Sequence, residues 1–242
     1  MKKLIVSLGL ALTLSFGATY NEGVEAANKG DYKTALNIFE DLASKNNTKA
    51  QHSLGFMFYN GFGVKQDYLK AKECWEKAAG EGLKESQFAL GLMYNNEVGV
   101  KQDYLKAKEW FEKAAAQGYT QAQVNLGIIY SHGFGVKQDY KKGIEWYEKA
   151  AAQGHSQAQY NLGVMYSNGQ GVKQDYFKAK EWYEKAAAQG LALAQNNIGF
   201  LYDNGQGVKQ DKRVAKQWFG KACDGGVQIS CDNYKLLNQQ GF

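Results

Sequence analysis

The pentapeptide Gly-Val-Lys-Gln-Asp begins at Gly63, Gly99, Gly135, Gly171 and Gly207, a spacing of 36 residues held four times without a slip. A fixed period of that length means one supersecondary unit laid down repeatedly, each burying its apolar face against the next. The rest of the chain keeps this register. Ala50, Ser86, Ala122, Ala158 and Ala194 are followed four residues on by Leu54, Leu90, Leu126, Leu162 and Ile198. Four residues further come Phe58, Tyr94, Tyr130, Tyr166 and Tyr202. Steps of four put the small, aliphatic and aromatic residues on one helix face.

A second helix opens at Asp67, Asp103, Asp139, Asp175 and Asp211, each placed to cap backbone N–H groups. It carries Trp110-Phe111, Trp146-Tyr147, Trp182-Tyr183 and Trp218-Phe219, with Cys74-Trp75 as the divergent copy. Glycine at 82, 118, 154, 190 or 226 then turns the chain into the next unit. The 242 residues include 28 Gly and no Pro, so every reversal is made by glycine, and a linear stack replaces two globular domains. Aromatic residues at 14% and charged residues at 22% exclude a disordered chain.

This register divides the chain into a degenerate helix pair over 18–46, five repeats over 47–226 and a capping helix over 227–242. The pattern small-x-x-x-Leu-Gly-x-x-Tyr, Gly-x-Gly-Val-x-x-Asp-x-x-Lys-Ala-x-x-Trp and Lys-Ala-Ala-x-x-Gly resembles the Sel-one-like repeat, a relative of the tetratricopeptide repeat. That resemblance implies an all-α fold, a right-handed α/α solenoid of stacked helix-turn-helix units. It also implies an adaptor that binds a protein or peptide in its concave groove, without cofactor or catalysis.

Lys2 and Lys3 precede an apolar run from Leu4 to Leu14 and the small residues Ser15 and Gly17, so residues 1–17 read as a secretory signal. The run is shorter than the roughly 18 apolar residues a membrane span needs. A periplasmic or secreted protein with no membrane span after cleavage is expected. Cleavage lowers the Lys and Arg count from 29 to 27 against 24 Asp and Glu. A surplus that small gives no footprint for nucleic acid.

Cys223 stands in the slot of Ala79, Ala115, Ala151 and Ala187, and Cys231 in that of Gln87, Gln123, Gln159 and Gln195. Across the Asp224-Gly225-Gly226 turn the two can face each other as a disulfide; the alternative is two unbonded small residues in a core. The spacing is similar to that of the Helicobacter cysteine-rich proteins, some of which are described as binding or hydrolysing β-lactams. That similarity implies a β-lactam-binding protein or β-lactamase as the alternative function. Cys74, in a Trp slot, reads as a buried thiol. No serine has lysine three residues on, and neither Ser-Asp-Asn nor Lys-Thr-Gly occurs. His52, His132 and His155 fall in unrelated slots, so no metal site is read, and His132 stands where other units carry a helix-ending Asn.

Positions fixed between units hold the stack together, so recognition is expected where they vary. With the small residue and Leu facing inward, 100° steps send His52, Phe88, Val124, Tyr160 and Asn196 outward. These five are the first candidate set for a partner. Phe56, Leu92, Ile128, Val164 and Phe200, apolar in every unit, read as seals between repeats. Asn125, Asn161 and Asn197 form a second candidate set, a ladder placed either to bond an extended peptide or to bond within the repeat.

Overall fold

A computed structural model describes residues 18–242, so the signal expected over 1–17 lies outside the described residues. The described residues form thirteen α-helices and no strand. They are α1 (Tyr20–Asn28), α2 (Tyr32–Ser44), α3 (Thr48–Asn60), α4 (Tyr68–Gly80), α5 (Lys84–Asn96), α6 (Tyr104–Ala116) and α7 (Thr120–His132). Then come α8 (Tyr140–Ala152), α9 (Ser156–Asn168), α10 (Tyr176–Ala188), α11 (Ala192–Asn204), α12 (Lys212–Asp224) and α13 (Gln228–Gln239). None of them is long and apolar enough to cross a membrane. Two compact units divide between Cys74 and Trp75, within α4.

In the first unit, Thr19 and Glu22 form a reciprocal capping box that starts α1. Ala35, Phe39, Ala50, Leu54 and Met57 make its buried core. The Tyr20 ring lies 5.6 Å from that of Phe39, and its hydroxyl is 3.0 Å from Ser53 Oγ. Cys74 is half-buried against this core rather than enclosed in it.

The second unit repeats one packing device. Asp103, Asp139, Asp175 and Asp211 each accept a backbone N–H three residues on at 3.0–3.1 Å, starting α6, α8, α10 and α12. Such caps contribute about 1 kcal/mol apiece. The glycine after each first-helix aliphatic lets the following helix close in. A Cβ on Gly127 would sit 2.4 Å from a Tyr147 ring atom, and one on Gly91 would sit 2.5 Å from Phe111. Phe111, Tyr147, Tyr183 and Phe219 are consequently buried, each ring stabilising the stack by about 2–3 kcal/mol. Their Trp neighbours lie half-buried under lysines, with Lys113, Lys149 and Lys185 at 3.9–4.0 Å from the ring centroids of Trp110, Trp146 and Trp182.

Glutamines join consecutive helices. Gln117, Gln153 and Gln189 donate to Gln87, Gln123 and Gln159 at 2.8–2.9 Å. The acceptor glutamines in turn donate to the carbonyls of Ala79, Ala115 and Ala151, eight residues back. At the last junction Cys223 and Cys231 are joined by a disulfide. First helices end on a left-handed residue, glycine at 133, 169 and 205 (φ 74°, 68° and 68°), but Glu97 after α5 (φ 59°).

Candidate functional site

Tyr160 and Asn161 face a cleft of about 540 Å³ in the second unit, bounded by α7, the start of α8 and α9. Ile128 and Val164 form part of its apolar wall, so these two members of the apolar series line the cleft as well as packing on the helices beneath. Ser131 and Tyr147 contribute to the floor, and both are more than nine-tenths buried. Burial pushes the Tyr147 phenol up to about 12, with the Ser131 hydroxyl and the Asn161 amide beside it pulling slightly the other way. The group is therefore a neutral hydroxyl at any physiological pH. Tyr183 is pushed up to about 12 in the same way, with Asn197 and Ser167 beside it.

The first candidate set is not uniformly outward. Tyr160 is half-buried, its ring 5.8 Å from that of Tyr183. Phe88 is also half-buried, 5.7 Å from Phe111 and 5.0 Å from Tyr119. Val124 and Asn196 are buried, contrary to the outward reading, at 6% and 8% exposure. Asn196 accepts from Ser230 Oγ at 2.7 Å and donates to Asn197 at 3.1 Å. The outward reading assumed a helix packed on one side. First helices in this stack are flanked by second helices of two successive pairs, so burial wraps around them. His52 belongs to the first unit, where it lines a separate cleft of about 380 Å³ with Phe56 and Phe62.

Asparagines of the second set bond within the stack. Asn125 donates to the Gln121 carbonyl of its own helix at 2.8 Å, and Asn161 accepts from Gln157 at 3.0 Å. His132 Nδ1 lies 3.0 Å from the Ile128 carbonyl, the bond Asn60 and Asn204 make to Phe56 and Phe200, as its helix-ending slot suggested. Ser131, Tyr140, Tyr147, Asn168 and Gln170 were not singled out by variability alone. A visible signal existed: Ser occupies its slot at 131 and 167, in the two repeats whose second helix carries Tyr rather than Phe or Trp, whereas the Asn slot of the next repeat is filled after Phe111 as well as after Tyr147.

Among the described residues, no three His, Cys, Asp or Glu side chains converge on a possible metal site. No match is found among curated proteins. The Sel1 repeat model matches residues 48–83, 84–119, 120–155, 156–191 and 192–227. A Sel1 repeat protein from Oxalobacter formigenes is 36% identical over 88% of this chain and 86% of its own, with a TM-score of 0.80. The Escherichia coli protein c5321, a protective antigen of uropathogenic strains, is 37% identical over 81% of this chain with a TM-score of 0.79. The aligned part spans 42% of that longer protein. The Pseudomonas aeruginosa immunity protein Pa5087, 24% identical with a TM-score of 0.51, shares the fold. With five tandem matches and two relatives above one-third identity, the chain belongs to the Sel1 repeat family.

Proposed function

We propose that this chain is an exported, non-catalytic scaffold that holds a protein or peptide partner against the first helices of its repeats. Sel1 repeats generally mediate contacts between proteins. The observation that carries the reading is the cleft between α7 and α9. Ile128, Ser131, Tyr147, Tyr160, Val164 and Gln170 on its lining stand at positions that change between repeats, beside the repeat-fixed Gln138 and the nearly fixed Asn168, while the small and aliphatic inner positions are consumed by packing. The disulfide supports export to an oxidising compartment, periplasmic or extracellular, as the basic and apolar character of residues 1–17 does.

The geometry adds nothing to the β-lactam alternative. No lysine lines the cleft beside Ser131 to take its proton.

A photo-crosslinking residue at Asn168 on the cleft, compared with one at Lys185 on a second helix, tests the binding face in living cells. Discrete protein adducts from position 168 and none from 185 are expected. Adducts from 185 alone, or from neither, contradict the assignment. Export is tested on the same cells: the mature protein should lack its first 17 or so residues, and an intact N-terminus in the cytosolic fraction overturns it.

A further inference from the structure

The clefts of the two units are the same site at different repeats. Tyr32, Phe39, His52, Ser53, Phe56 and Phe62 of the first become Tyr140, Tyr147, Tyr160, Asn161, Val164 and Gln170 of the second, each 108 residues later. Phe39 to Tyr147, Ser53 to Asn161 and Phe62 to Gln170 each install or enlarge an uncharged polar group. Although 22% of the chain is charged, no Asp, Glu, Lys or Arg lines the second cleft. A carboxylate, phosphate or ammonium entering it would lose hydration and meet no carboxylate, ammonium or guanidinium, and the one imidazole on the lining, His132, has its Nδ1 turned to the Ile128 carbonyl. Ser131 Oγ is buried on the floor beside the Tyr147 phenol, and no main-chain group or other side chain bonds it. Asn and Gln amides carry the same donor and acceptor pair as a peptide group, so they match main chain better than any charged side chain.

We propose that the cleft between α7 and α9 receives an uncharged, extended peptide segment, one of whose main-chain carbonyls accepts from the Ser131 and Tyr147 hydroxyls while Asn161, Asn168 and Gln170 pair with neighbouring peptide groups. This rests on the reading of the chain as a protein or peptide binder. It names what that partner presents here.

The probe is a displayed library of random heptapeptides selected on the full, disulfide-intact protein, followed by titration of the enriched peptides as synthetic compounds. Enriched sequences should lack Asp, Glu, Lys and Arg in their shared stretch, and affinity should change less than about twofold between 0.05 and 0.5 M salt, since no ion pair is formed. Ser131→Ala, Tyr147→Phe and Asn161→Ala should each weaken binding by about fivefold to tenfold, the loss of one hydrogen bond. Phe and Ala occur naturally in the last two slots, at Phe111 and Ala89, so these variants keep the fold. Charged, salt-sensitive peptides, or peptides indifferent to all three variants, overturn this inference and leave the peptide-binding reading standing. A library that enriches nothing, with a neutral oligosaccharide such as chitotetraose binding instead, overturns both.

Discussion

Cys223 and Cys231 are bonded at the pair of positions that, one repeat earlier but one, joins Ala151 to Gln159 through a hydrogen bond to the alanine carbonyl. The covalent link appears where the glutamine ladder stops. Gln117, Gln153 and Gln189 support the preceding glutamines, but the corresponding residue after α12 is Gly225, which has no side chain to donate. The disulfide thus ties down α13, which has no following helix among the described residues.

Replacing both cysteines by serine should therefore destabilise the C-terminal helix by about 2–3 kcal/mol, the value expected for closing so short a loop. Hydrogen exchange should rise in α13 and the end of α12 while α6 to α9 keep their protection. Exchange that rises uniformly through α6 to α13 would show that the bond holds the whole stack.

Glu97 adopts the left-handed conformation that glycine supplies at 133, 169 and 205. A side chain there costs about 1 kcal/mol. Glu97→Gly should raise stability by roughly that amount less the entropy glycine adds to the unfolded chain, a net gain of about 0.5 kcal/mol. Urea denaturation checks it, and a lower midpoint for the variant would contradict it.

Burial raises the Tyr147 and Tyr183 phenols to about 12. Their unfolded counterparts ionise near pH 10, so between about pH 10 and 12 the unfolded chain loses protons that the folded chain retains, and stability falls as pH rises. Each residue accounts for about 2–3 kcal/mol of that loss. The Tyr147→Phe, Tyr183→Phe double variant should lose less stability than the wild type between pH 9 and pH 11.5, measured by urea midpoints. Equal losses would place both phenols within reach of water.

The repeat period alone made the helix pairs, the aspartate caps and the glycine turns legible, because each is a local rule copied five times. The disulfide was legible for a related reason: two residues broke the pattern together. Burial around the first helices was less so. Val124 and Asn196 look outward on a helical wheel, and only the helices on either flank of the stack decide otherwise. The cleft needed coordinates as well, since Tyr147 and Asn161 come from consecutive repeats and meet through the packing of α8 against α9. The joint variation of Ser131 with Tyr147, repeated at Ser167 and Tyr183, could be read from the five copies, but variation at single positions did not reveal it.

Partner capture by the wild type and by the Ser131→Ala, Tyr147→Phe, Asn161→Ala triple variant, measured beside their melting curves, tests the central claim most directly. Phe88 is left intact because its ring packs on Phe111 and Tyr119, and its loss would confuse stability with binding. The account predicts a melting temperature within a few degrees of wild type, about 1 kcal/mol in a domain of this size, with capture reduced by at least about tenfold. Undiminished capture by a folded triple variant would contradict it.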